Sequence, residues 1–178
     1  MRFDLHTHTA WSDGDYSPAE VARMAEDMGI GVAITDHDEC RGFAGIADRA
    51  FGVPVIPGIE LATRFQGGSV HVLGLGIDWN DRGIVSHIEW AREARLKRAE
   101  RILEKLRAGG MDIAMDDLDF GGDVVSRAHI ATALVQKGYA ADPADAFARY
   151  LSFHAPYYVP YEKIDVSEGA QLIRGAGG

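Results

Sequence analysis

Cysteine occurs once in these 178 residues, at Cys40, which excludes an internal disulfide and makes the cytoplasm the expected compartment. No apolar run approaches the length of a membrane span, and the first residues lack the charged start and apolar core of a secretory signal. Positive charge is short as well. Against 27 acids there are 18 lysines and arginines, and the net charge of −9 argues against a surface built for general nucleic-acid binding. That balance says little about a site whose bound cations would reverse the local sign. Repeats and low-complexity tracts are missing, and an apolar fraction of 47% fits a globular domain. Histidine is scarce too, yet four of the seven lie in short polar signatures within the first 71 residues.

Those signatures are His6-Thr7-His8, Ser12-Asp13-Gly14, Thr35-Asp36-His37-Asp38, Gly58-Ile59-Glu60 and Val70-His71. Two histidines at i and i+2 on a strand point to the same side, so His6 and His8 can grip one cation. Together the signatures point to a polynuclear metal site. The surrounding pattern alternates strand and helix. Phe3 to His8 begins a strand, and Ser17-Pro18-Ala19-Glu20 is a capping box with proline at the first helical position. Val21, Ala22, Met24, Ala25 and Met28 form that helix's apolar set, and Gly29 stops it. Gly31 to Thr35 is a short buried strand with His37 just past its end. A small helix is expected over 42–50, then a strand at Val53 to Ile56 with Glu60 just beyond, then a strand from Ser69 to Ile77. In parallel α/β folds the chemistry gathers at the carboxyl ends of strands, where His37 and Glu60 are expected to fall.

The middle of the chain is different. A long helix runs from about Gly83 to Arg107, its apolar positions separated by mixed charges that include Arg92, Arg95, Lys97 and Arg98. Such a run is ordinarily a solvated face, although some arginines could steer an anionic substrate. Further helices start at Ser126 and at Asp142-Pro143, and another covers Ser167 to Ile173. The expected organisation is an α/β core from residues 1–82 and 166–178, interrupted by a helical insertion over 83–165. Four strands are too few for a (β/α)₈ barrel, which takes roughly 250 residues, so the chain reads as the front part of a longer protein.

The order HTH, SDG, TDHD, GIE, VHVLG and Ser126-Arg127-Ala128-His129-Ile130-Ala131 resembles the PHP (polymerase and histidinol phosphatase) family. The closest branch in motif is that of the stand-alone phosphoesterases, which include 3′,5′-nucleoside bisphosphate phosphatase and 5′-to-3′ exoribonuclease. The resemblance implies a distorted (β/α) barrel, incomplete here, with up to three divalent cations, usually Mn²⁺, while Zn²⁺ and Fe²⁺ suit the same donors. It implies His6 and His8 on a first metal, Asp13 and His37 on a second, and Glu60 bridging the first and a third. His71 and His129 would complete the third. It further implies hydrolysis of phosphate esters of small nucleotides or oligonucleotide ends, with attack by a metal-bound hydroxide and with Arg127 contacting phosphate. The family's later His-Pro pair and Asp-x-His have no counterpart here, leaving one ligand missing from the first metal and two from the second. The alternatives are therefore a catalytically incomplete metal-binding fragment or a histidinol-phosphatase-like phosphomonoesterase. No membrane partner and no stable nucleic-acid partner are expected. General acid and oligomeric state stay open.

Several of these residues have ordinary readings when taken singly. Asp13-Gly14 is a common turn, His71 sits in an apolar strand where a lone histidine is usually core, and Arg127 has the usual surface role of arginine. Asp36 and Asp38 fit either a supporting place behind the ligands or caps and turns. His87 and His154 belong to no constellation and read as structural. Cys40 reads as a buried or incidental thiol.

Overall fold

A computed structural model describes residues 1–47, 50–120 and 124–178. In chain order its elements are β1 (Phe3–Thr7), α1 (Pro18–Met28), β2 (Gly31–Ile34), β3 (Val55–Phe65), β4 (Gly68–Leu75), α2 (Arg82–Ala108), α3 (Arg127–Gln136), α4 (Pro143–Ala146), β5 (Ile164–Asp165) and α5 (Val166–Gly175). They form two compact units, Met1–Ala91 with Lys163–Gly178, and Arg92–Glu162. The boundaries expected at 82/83 and 165/166 fall at the start of α2 and the end of β5.

In the first unit β1, β2 and β3 pair in parallel, with Phe3 opposite Gly31 and Val32 opposite Val55. Between β1 and β2 the chain crosses over through α1. Ser17 Oγ accepts the Glu20 N–H, the Glu20 carboxylate accepts the Ser17 N–H, and Gly29 closes the helix at φ 66°. The apolar face of α1 is narrower than its sequence suggests. Ala22 and Ala25 are buried, whereas Met24 and Met28 are exposed.

Two expectations about the strands need correction. β3 does not stop before Glu60 but runs 11 residues straight through it. The fourth strand is also antiparallel to β3, joined by a hairpin whose central residues Gln66 and Gly67 both have positive φ (48° and 80°). That two-residue turn matches the twist of the flanking strands, and glycine tolerates its second position without strain. β5 then adds a short parallel pairing to the far end of β3, Thr63 opposite Ile164. The small helix expected over 42–50 is a 3₁₀ turn over Arg41–Gly45, and residues 48–49 lie outside the described residues. Ile59, Leu61, Ile77, Ile84, Ile88 and Ile173 make the core of this unit, bringing the start of α2 and α5 against the β3–β4 hairpin.

The second unit is helical. Ile102, Leu103 and Leu106 of α2 pack with Ile130 and Leu134 of α3 and with Leu151. Ser126 caps α3 by accepting the Ala128 N–H, and Asp142 caps α4 by accepting the Asp145 N–H. Glu93 and Lys97 form an i,i+4 ion pair at 2.6 Å on the exposed face of α2, where such a pair contributes little. No described helix is long and apolar enough to cross a membrane.

Candidate metal centre

The donor side chains come from four places in the first unit. β1 delivers His6 and, just past its end, His8; their Nε2 atoms lie 3.1 Å apart. The following loop is tied back by a buried carboxylate. Asp36 accepts the Thr9 N–H and Oγ–H, both at 2.7 Å, and the Ser12 Oγ–H at 2.6 Å. Burial pushes the Asp36 carboxyl above its ordinary range, and these three donors only partly offset that. The loop closes tightly because Gly14 has no side chain. A Cβ there would stand 2.4 Å from the His8 carbonyl oxygen. This folding back brings Asp13 within 3.5 Å of His8 Nδ1 and 3.6 Å of His37 Nε2.

β2 and β3 set the next pair. Their pairing continues past the end of β2 as a bridge between His37 and Glu60, in which the Glu60 N–H donates to Asp36 O and the Asp38 N–H donates to Glu60 O. The hairpin adds the last donor. His71 on β4 is opposite Ala62, two residues from Glu60 and therefore on the same face, and its Nδ1 lies 2.6 Å from Glu60 Oε1.

Glu60 is the hub. Its Oε2 lies 3.0 Å from His6 Nε2, 3.0 Å from His8 Nε2 and 3.2 Å from His37 Nδ1. Burial opposes ionisation of this carboxyl, but the His71 and His8 rings, the charge of His37 and the His6 ring together hold it well below the usual carboxylate range. His8 shows the reciprocal effect. Burial lowers its pKa, and the Glu60 contact with the charges of Asp13, Glu60 and Asp36 outweighs this and raises it. The carboxylates of Asp13 and Glu60 are separated by imidazoles.

Three donor groups result: His6, His8 and Glu60; His8, Asp13 and His37; His37, Glu60 and His71. Within each, one donor atom per residue lies within 4.8 Å of the others. His8, His37 and Glu60 each serve two groups. Imidazole and carboxylate at this spacing suit a divalent first-row cation, so the donor chemistry fits a cluster of such ions.

Arg127 and His129 stand in the second unit. His129 Nδ1 accepts the Ser126 N–H at 3.0 Å, reinforcing the start of α3, and its ring lies 6.1 Å from that of Phe120. Arg127 donates to Leu151 O at 2.9 Å and lies over the Phe147 and Tyr158 rings. It shares a cleft with Arg95, Arg98 and Ser126. The sequence reading missed this grouping by treating Arg95 and Arg98 as part of a solvated helix face; Arg95 is only 7% exposed. Burial, followed by the charge of Arg127, lowers the Arg98 pKa to about 10. The available signal was the i,i+3 spacing of the two arginines, which places them side by side on α2. Thr9 and Ser12 were also missed as ties for the metal loop.

The PHP domain profile matches residues 4–159. The chain belongs to the PHP domain family. Similar curated proteins include a 5′-3′ exoribonuclease of Haemophilus influenzae, 35% identical over 99% of this chain and 66% of its own length. A 3′,5′-nucleoside bisphosphate phosphatase of Chromobacterium violaceum is 35% identical over 98% of this chain and 64% of its own length. Among solved structures, a Bifidobacterium adolescentis protein described as a metal-dependent phosphoesterase superposes with a TM-score of 0.90 at 35% identity. That match covers 99% of this chain and 64% of the other. This PHP chain thus spans just under two thirds of the length of these relatives, and its α/β fold is that of a partial PHP barrel.

Proposed function

We propose that this PHP chain carries the metal-binding half of a phosphoesterase that hydrolyses phosphate esters of small nucleotides or of oligonucleotide ends. The supporting observation is the convergence of His6, His8, Asp13, His37, Glu60 and His71 around one buried carboxylate. The printed names of the relatives, a nucleoside bisphosphate phosphatase and an exoribonuclease, give the substrate class. Divalent cations, Mn²⁺ by preference, would supply charge to offset that of phosphate and would acidify a water molecule.

The chain's own residues have separable tasks. Glu60 anchors two donor groups and stays ionised at all physiological pH values. His6 and His8 hold one edge, His71 another, and Asp13 and His37 the third group. Asp36 keeps the Asp13 loop closed. His129 is assigned as a further ligand on the family pattern. Arg127, with Arg98 beside it in a cleft bonded to carbonyl oxygens, is suited to pair with a phosphate oxygen. The enzyme is expected in the cytoplasm, with a small phosphorylated nucleotide or short oligonucleotide as its partner.

The test is phosphate release from adenosine 3′,5′-bisphosphate with Mn²⁺ present. Release should stop with Glu60→Ala, while Arg127→Ala should chiefly raise KM. Histidinol phosphate should be the poorer substrate. Release that survives Glu60→Ala would refute the assignment of Glu60, and a preference for histidinol phosphate would refute the substrate class.

A further inference from the structure

Asp38 follows His37 and takes φ 48°, the left-handed region that non-glycine residues seldom adopt. Such a conformation persists where its surroundings over-determine it. Here the surroundings are specific. The Asp38 N–H donates to Glu60 O at 2.9 Å, and Asp38 Oδ1 accepts the Ala62 N–H at 2.8 Å. The residue thus fastens to β3 at two points that flank Leu61, the neighbour of Glu60, while its predecessor His37 faces the Glu60 carboxylate at 3.2 Å.

Behind this fastening stands His87, in the second turn of α2. His87 Nε2 lies 3.5 Å from Asp38 Oδ1, and both residues are buried, at 6% and 1% exposure. That ring nitrogen has no hydrogen-bond partner within ordinary reach, and the Trp90 ring lies 5.6 Å from the His87 ring. A polar ring atom removed from water is unfavourable unless a partner of opposite character faces it. Asp38 is that partner.

We propose that Asp38 and His87 are positioning residues. His87 holds the Asp38 carboxylate against β3, and this fixes the separation of His37 from Glu60 and with it the affinity of the cation site those two share with His71. The proposal rests on the metal-binding reading of that group. It moves His87 from a packing role to one behind the ligands, where loss of a supporting contact commonly weakens metal binding by about 10–100-fold.

The experiment is titration of this protein with Mn²⁺ alone, following free Mn²⁺ by electron paramagnetic resonance, alongside circular dichroism of each metal-free variant. His87→Phe keeps an aromatic ring and removes the N–H; it should leave the spectrum unchanged and weaken Mn²⁺ about tenfold. His87→Gln restores a donor and should bind within about threefold of wild type. If His87→Phe does not fold, Asp38→Asn carries the test. Its amide oxygen still accepts the Ala62 N–H, but the charge facing His87 is gone, and tenfold weaker binding is again expected. Wild-type affinity in His87→Phe or Asp38→Asn, or equal weakness in His87→Phe and His87→Gln, overturns the positioning role and leaves the metal reading standing. Absence of Mn²⁺ binding in the wild type sinks the metal reading and the positioning role together.

Discussion

Glu60→Gln tests the centre most directly, because it keeps the shape of the side chain and removes only its charge and one acceptor. Glu60 contributes a donor to two of the three groups. A contact to a charged group is worth about 1.5–3 kcal/mol, and the amide keeps an oxygen for only one of the two groups, so the other should lose about that much binding. At 1.4 kcal/mol per tenfold, Mn²⁺ should bind about 10–100-fold more weakly, measurable by titration calorimetry. The metal-free protein should change as well. Four imidazoles lie within 3.2 Å of this carboxylate, and an amide leaves them facing an N–H₂ group. A cost of about 2–3 kcal/mol at neutral pH corresponds, for a chain of this size, to a Tm roughly 5–10 °C lower. The pH dependence follows from the depressed pKa of Glu60. Its stabilisation is complete above the ordinary glutamate value and is lost as pH falls through the lower folded value, so the Tm gap between wild type and variant should persist at pH 5 and narrow only in stronger acid. A metal-free Glu60→Gln protein with wild-type or higher Tm would show that burying this charge costs more than its imidazoles return, and the hub described above would be wrong.

Gly14→Ala places a Cβ 2.4 Å from a backbone oxygen that cannot rotate away. It should destabilise the fold by about 1–3 kcal/mol in thermal melts and weaken Mn²⁺ by moving His8 and Asp13 apart; an unchanged melt would mean that the loop yields freely. The raised pKa of His8 stabilises the metal-free protein fully below pH 6.5, and this contribution is lost as pH rises through the folded value. Because a cation must displace that proton, the Tm gain from Mn²⁺ should grow from pH 6 to pH 8 with measurable proton release, and a gain that shrinks over this range would contradict His8 as a ligand.

Much of this was legible in the sequence, and the parts that were not have physical causes. The Ser17-Glu20 cap, the Gly29 stop and the caps at Ser126 and Asp142 depend on neighbours in sequence, so local reading finds them. The convergence of His6, His8, Asp13, His37, Glu60 and His71 was legible because histidine is rare and four of the seven fall in short polar signatures; His129 rested on the family resemblance. Strand direction was not. Whether the fourth strand returns antiparallel depends on a two-residue turn at Gln66-Gly67, and glutamine is an unusual occupant of a left-handed position. The extent of β3 was missed because Pro57 and Gly58 resemble a strand end. Here they lie between a parallel and an antiparallel partner. The exposure of Met24 and Met28 escaped because periodicity shows which face is apolar and not how wide a surface will cover it. Arg95 and Arg98 were read as a solvated face because a charge on a helix is ordinarily solvated, and only tertiary contacts reveal the exception.

The bridge between His37 and Glu60 links metal chemistry to strand register. Side chains alternate along a strand, so a slip of one residue between β2 and β3 would turn Glu60 toward the apolar core and present Ile59 or Leu61 to the histidines. A cation held by His37, Glu60 and His71 therefore binds one alignment of three strands and discriminates against every neighbouring alignment. Ile59 and Leu61 are fully buried on the opposite side, so the apolar core and the donor set call for the same register.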